Sequence, residues 1–134
     1  MPQRTLPAGT PRLLIVEDEL LIALCIKEMA RDIGYDVSGV VHTVPLARKK
    51  FAKRNFDAVL LDISFDGQFS FEFADLLLEA KIPFAFITGY DYLVEPRHEL
   101  VPILQKPFTL AQLRVLLAAL VGPPSLNERD ERSA

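Results

Sequence analysis

The chain has 134 residues, half of them apolar, with 15 Lys plus Arg against 18 Asp plus Glu, one Cys and no Trp. A single domain of this length buries about 70% of its unfolded-chain surface and needs neither a disulfide nor a structural metal to hold a core. With Cys25 alone, a disulfide framework and a Cys-rich zinc site are excluded. A net charge of −3 gives no bulk attraction to nucleic acid or to an anionic membrane. No apolar run reaches membrane-spanning length, and the first residues lack the apolar stretch of a signal peptide. These features predict a soluble, cytoplasmic protein with no nucleic-acid and no membrane partner.

Residues 1–11 hold Pro2, Pro7, Gly9 and Pro11 and read as a flexible lead. Leu13-Leu14-Ile15-Val16 is a continuous apolar run, the pattern of a strand buried on both faces. A helix follows over 19–34, where Ile22, Ile26, Met29 and Ile33 form a core-facing stripe and Gly34 is the stop signal. Val37 to Val41 is a weaker strand, interrupted by Ser38 and Gly39. Thr43 caps a helix over 44–54, Ala58 to Leu61 makes the third strand, and a helix spans 70–81. Pro83 to Ile87 is the fourth strand. Gly89 to Leu100 then leaves twelve residues, with Pro96 inside, for a crossover that normally needs a helix. An irregular loop, or at most one or two helical turns, is expected there. Val101 to Leu104 is a fifth strand that Pro102 assigns to the sheet edge, and Thr109 caps a last helix over 109–121. The polar stretch 122–134 reads as a disordered tail, leaving 12–121 as the fold. Apolar runs alternating with amphipathic segments predict an α/β fold, a parallel sheet with helices on both faces.

Four of the five strands end in residues that can do chemistry, at the edge where open α/β sheets bind ligands. Glu17 and Asp18 follow the first strand, Asp62 ends the third, Thr88 ends the fourth, and Lys106-Pro107 follows the fifth. Each has an ordinary explanation alone, since acids favour helix starts, Asp starts turns, Thr is common in strands and a lone Lys is usually solvated. Their joint order and spacing sets them apart. In Val16-Glu17-Asp18-Glu19, Leu60-Leu61-Asp62, Ile87-Thr88-Gly89 and Gln105-Lys106-Pro107-Phe108, the chain resembles the receiver domains of two-component response regulators over residues 12–121. The resemblance implies a flavodoxin-like, doubly wound sheet of strand order 2-1-3-4-5, which brings the four strand ends together.

Gathered carboxylates repel, by about 4 kcal/mol for a pair about 4 Å apart at an effective dielectric of 20. A hard divalent cation with oxygen ligands relieves that repulsion. The resemblance implies Mg²⁺, with Mn²⁺ as a substitute, bound directly by Asp18 and Asp62, through water by Glu17, and by the backbone carbonyl of Ser64. It implies that Asp62 accepts a phosphoryl group from a sensor histidine kinase or histidine phosphotransfer protein, that Lys106 and Thr88 contact the phosphoryl oxygens, and that the Lys106-Pro107 bond is cis. Such a domain catalyses its own phosphorylation and slow dephosphorylation and is not an enzyme in the ordinary sense. At this length the expectation is a single-domain regulator acting through protein contacts.

The chain departs from the family pattern in two places. Asp66-Gly67 stands where receivers usually have Pro, and Ile103 stands where they have Tyr or Phe three residues before the Lys. Pro83-Phe84-Ala85-Phe86-Ile87-Thr88-Gly89-Tyr90 is similar to the signature of the FAT GUY group of receivers, whose fourth helix is short or disordered. Two readings follow. Either ordering of 89–100, with Tyr90 or Tyr92 replacing the missing switch aromatic, is the output, or these tyrosines merely cap the sheet.

Leu20 and Leu24 lie opposite the core stripe of the first helix, on the helix that receivers use to dock the kinase; scattered surface leucines are the plain alternative. The last helix carries Ala111, Val115, Ala118 and Ala119 opposite its core leucines and suits a downstream protein, a second copy or a folded-back terminus. Arg48-Lys49-Lys50 with Lys53 and Arg54 reads as a solvated face, Cys25 as a small buried hydrophobe, and His42 and His98 receive no role. A haloacid-dehalogenase-type phosphatase needs a second Asp where Ser64 stands, and a flavodoxin-like cofactor site needs a phosphate loop where Glu17-Asp18-Glu19 stand. The remaining alternative is a degenerate receiver that binds partners without phosphorylation. Such receivers usually lose one of the five site residues, and none is lost here.

Overall fold

Leu13, Leu14, Ile15 and Val16 are at most 1% exposed because their strand lies inside a sheet covered on both sides. In the computed structural model, which describes residues 8–65, 67–89 and 95–124, this strand is β1 (Arg12–Val16). It is followed by α1 (Leu20–Ile33), β2 (Asp36–Val41), α2 (Val44–Lys53) and β3 (Ala58–Asp62). Next come two short strands, β4 (Ser64–Phe65) and β5 (Gln68–Phe69), then α3 (Phe71–Glu79) and β6 (Phe84–Thr88). A single 3-10 turn (Pro96–His98), β7 (Ile103–Gln105) and α4 (Leu110–Val121) complete the order. The main sheet is parallel throughout with order β2-β1-β3-β6-β7, the expected 2-1-3-4-5 arrangement when only its five strands are counted.

Alternation along the strands sorts the core into two layers. Leu13, Ile15, Leu60, Ala85, Ile87 and Leu104 pack with Ala23, Ile26, Ala30 and Ile33 of α1 and Leu113 and Leu117 of α4. Leu14, Val16, Val59, Leu61, Phe84 and Phe86 pack with Ala47 of α2 and Phe73, Ala74 and Leu77 of α3. Tyr35 is fully buried, and its hydroxyl donates to the carbonyl of Gly122 at 2.7 Å, tying the start of β2 to the end of α4.

The predicted helix limits and caps agree closely with this structure, whereas the fifth strand, expected over Val101 to Leu104, begins only after Pro102 at Ile103. Thr43 and Thr109 accept from the backbone N–H of Leu46 and Gln112, and Gln112 returns a bond to the Thr109 N–H, forming a capping box. Gly34 ends α1 at φ +122°, a conformation costly for any residue with a Cβ. Irregularity in β2 has a cause, because the register with β1 slips by one residue between Leu13 and Leu14, leaving Ser38 as the extra residue. Its Oγ donates to the Leu13 carbonyl at 3.3 Å.

The structure differs from the sequence reading in two respects. Cys25 is exposed rather than buried, since it sits just off the stripe whose core contacts are made by Ala23, Ile26, Ala30 and Ile33. The stretch between β3 and α3 is an antiparallel hairpin turning at Gly67, which has φ +74°. The single 3-10 turn in the place of a fourth helix is within the one or two turns expected there, and His98, which has no role in the sequence reading, is fully buried on it. Tyr90, Tyr92 and the tail from residue 125 lie outside the described residues.

Candidate functional site

Backbone bonds at the sheet edge fix the site residues before any side chain does. Glu17 N–H donates to Val41 O at 3.0 Å, Ile63 N–H to Ile87 O at 3.1 Å, and Lys106 N–H to Thr88 O at 2.7 Å, so the ladder continues past the ends of β1, β3 and β7. Glu17, Asp62 and Lys106 continue the alternation phase of Ile15, Leu60 and Leu104 and leave the sheet on the same side. Thr88 continues the phase of Phe84 and Phe86 and is 3% exposed. The Lys106-Pro107 bond is cis, as the resemblance implied.

The three side chains meet. Lys106 Nζ lies 2.5 Å from Glu17 Oε1 and 3.1 Å from Asp62 Oδ2, so one ammonium bridges two carboxylates. The remaining oxygens are also engaged: Glu17 Oε2 accepts from Glu19 N–H at 3.2 Å, and Asp62 Oδ1 from Ser64 N–H at 3.2 Å. Glu17 and Asp62 are buried whereas Asp18 is exposed, and oxygens of all three lie within 4.8 Å of one another. Burial pushes the Glu17 carboxyl up to about 7; the hydrogen bond from Lys106 opposes this, and Asp62 beside it adds to the rise. Burial likewise works against the Lys106 charge, but the hydrogen bond to Glu17 and the charges of Asp62 and Glu17 outweigh it and hold this lysine above its ordinary value. A buried, acid-rich cluster with an exposed carboxylate at its rim is a donor set of hard oxygens, which suits Mg²⁺ or Mn²⁺.

Of the predicted residues, Glu17, Asp18, Asp62 and Lys106 are brought together and Thr88 stands at the adjoining strand end. Ser64 is joined to the cluster through its N–H. Leu20 and Leu24 are 61% and 41% exposed, with Leu21 beside them at 78%. Val115 is exposed at 71% and Ala118 is half-buried. Val115 lines an open apolar hollow of about 510 Å³ with Ile103, Leu104, Ala111, Leu116 and Ala119.

Sequence reasoning missed Ser70. It is 3% exposed, and its Oγ lies 2.6 Å from Asp62 O and 3.1 Å from Ile63 O. A Ser that opens a predicted helix looks like an N-cap, but this one makes no side-chain cap bond.

No protein-family model matches the chain. Among solved structures it is similar to SdrG of Sphingomonas melonis Fr1, with 36% identity, 86% of this chain and 99% of SdrG covered, and a TM-score of 0.76. SdrG is also known in a BeF3-activated conformation, similar at 35% identity with the same coverage and a TM-score of 0.74. The REC domain of the PhyR response regulator of Erythrobacter litoralis is 30% identical, with 84% of this chain and 91% of that one covered and a TM-score of 0.75. The phyllosphere-induced regulator PhyR of Methylorubrum extorquens is 31% identical over an alignment of 128 residues that covers 91% of this chain; the chain spans about half, 48%, of that regulator's length.

Proposed function

Because the chain belongs to the receiver domains of response regulators, we propose that it takes a phosphoryl group onto Asp62 from a phosphohistidine of a sensor kinase or phosphotransfer protein, in a Mg²⁺-dependent reaction. One observation carries this reading: the Lys106 ammonium bridges the Glu17 and Asp62 carboxylates, with Asp18 alongside, at the ends of neighbouring strands.

A carboxylate oxygen of Asp62 attacks phosphorus, the P–N bond to the donor imidazole breaks, and its electron pair leaves with the imidazole. The product is an acyl phosphate, which water hydrolyses back to the carboxylate and phosphate. This chain's work is mainly positioning and charge compensation. The Ser64 N–H holds Asp62 Oδ1 and Lys106 holds Oδ2, so the nucleophile is oriented in advance. Lys106 is kept charged and lies within reach of charge developing on the transferred group. Thr88, at the neighbouring strand end, supplies a hydroxyl donor to the phosphoryl oxygens. Asp18 and Asp62, with Glu17 through water and the Ser64 carbonyl, would hold the cation. When bound, it neutralises the carboxylates and phosphoryl oxygens that otherwise repel.

The BeF3-activated form of the SdrG relative supports the same chemistry, since that group stands in for a phosphoryl group. The exposed Leu20, Leu21 and Leu24 at the site-proximal end of α1 offer the donor protein an apolar docking face. The test is incubation with Mg²⁺ and acetyl phosphate followed by intact-mass measurement. The chain gains the mass of one phosphoryl group, and Asp62→Asn does not. A wild-type chain unlabelled both by acetyl phosphate and by histidine kinases overturns the proposal.

A further inference from the structure

We infer that Ser70 is a positioning residue for the phospho-acceptor: its buried hydroxyl clamps the peptide that follows Asp62 and so sets the direction of the Asp62 side chain. The inference rests on the reading of Asp62 as acceptor and adds a residue that sits eight positions away, outside the acidic cluster. Three observations carry it.

The first is where the hydroxyl goes. Ser70 occupies the N-cap position of α3, where a Ser normally accepts from an N–H of the first turn. Here no such bond exists, and Oγ lies instead 2.6 Å from Asp62 O. A stabilising local bond has been given up for one to the strand end.

The second is what that carbonyl belongs to. Asp62 C=O and Ile63 N–H are the two halves of one peptide group. Ser70 Oγ holds the carbonyl half at 2.6 Å, and Ile87 O holds the N–H half at 3.1 Å. With the peptide plane fixed from both sides, the backbone torsion of Asp62 and the direction of its Cβ are fixed too. Ser70 N–H also donates to Ile63 O at 2.8 Å, closing the base of the β4–β5 hairpin on residue 63.

The third is what the hairpin presents. Phe65 pairs with Gln68 next to the turn and Ser64 pairs with Phe69. Hydrogen-bonded and non-bonded pairs alternate in an antiparallel ladder, and the pair closing a two-residue turn is bonded. Ser64 is then the non-bonded position, with its N–H and C=O turned away from β5. Its N–H indeed goes to Asp62 Oδ1 at 3.2 Å. Ser70 therefore anchors both the acceptor's backbone and the base of the hairpin that holds its carboxylate, in a reaction where small displacements are costly.

The experiment compares Ser70→Ala and Ser70→Thr with Ala74→Gly, which weakens the same helix one turn on without touching Asp62. Two readouts are taken: amide exchange at Ile63 and Ser64 in the metal-free protein, and the rate of phosphorylation by acetyl phosphate at saturating Mg²⁺. Ser70→Ala is expected to speed exchange at both amides and slow phosphorylation about tenfold, Ser70→Thr to restore both, and Ala74→Gly to leave both near wild type. Ser70→Cys, close in size but a weak donor, asks the same question should the alanine variant not fold. If Ser70→Ala matches Ala74→Gly in both readouts while the wild type is labelled, the role of Ser70 is overturned alone. A wild type that takes no phosphoryl group overturns the acceptor reading of Asp62 and this role with it.

Discussion

His98 Nε2 lies 2.8 Å from Asp75 Oδ1, joining the 3-10 turn before β7 to the middle of α3. The ring is fully buried, with its centroid 5.6 Å from those of both Phe71 and Phe86, and its Nδ1 has no hydrogen-bond partner among the described residues. Arg97 on the same turn also reaches Asp75 Oδ1, at 2.9 Å. His98→Ala is expected to lower unfolding free energy by about 2–4 kcal/mol in urea denaturation, mostly through the lost ring. His98→Phe fills the same slot and removes the orphaned nitrogen, so it should stay within about 1 kcal/mol of wild type. Equal losses in both variants would show that the Asp75 bond, not packing, holds the turn.

That anchor constrains any reordering of 89–100 on activation. Val101 N–H donates to His98 O at 3.0 Å. If change is confined to the residues before His98, beryllofluoride with Mg²⁺ leaves amide exchange at Val101 unaltered, and a shift there would mean the anchor itself lets go.

The raised Glu17 carboxyl makes stability depend on pH in a definite direction. Its folded value of about 7 exceeds the ordinary 4.5, so the folded chain binds more protons between those limits. The stabilisation is complete below about pH 4.5 and is lost as pH rises through about 7, by at most about 3 kcal/mol. Urea denaturation without metal should show this slope, and Glu17→Gln should flatten it. On the proposed reading a bound cation displaces that proton, so Mg²⁺ affinity is expected to rise across the same window and metal to restore stability at the alkaline end.

Lys106 occupies the ground between Glu17 and Asp62 that a cation would neutralise. Lys106→Met therefore separates two roles. Mg²⁺ binding is retained or tightened because a competing charge is gone, whereas phosphorylation at saturating Mg²⁺ slows about a hundredfold through loss of a donor to the transferred group. Parallel loss of both would mean that Lys106 only holds the site together.

The capping box at α4 gives a test independent of the site. Thr109→Ala removes the acceptor for Gln112 N–H and should cost about 1 kcal/mol with little effect on phosphorylation.

The sheet was readable in the sequence because its strands are buried on both faces and so appear as unbroken apolar runs, as in Leu13 to Val16 and Ala58 to Leu61. The strand-end residues were readable because their order along the chain, combined with the 2-1-3-4-5 arrangement, determines that they converge. Strands of two residues leave no periodic signal, so the hairpin at Ser64–Phe69 could not be seen. His98 was opaque because its partners, Asp75 and Phe71 on α3 and Phe86 on β6, are distant from it in sequence. Ser70 was masked by a position that ordinarily means a helix cap, and Cys25 by a composition rule that ignores helical phase.

With no Trp and three Tyr in the chain, intrinsic emission comes from Tyr35, Tyr90 and Tyr92 alone. Tyr35 is locked at the base of the fold with its hydroxyl on the Gly122 carbonyl, at the opposite end of the sheet from Asp62. Tyr35→Phe would thus silence the scaffold spectroscopically and leave fluorescence only from the two tyrosines just after Thr88, a built-in optical reporter that needs no attached dye.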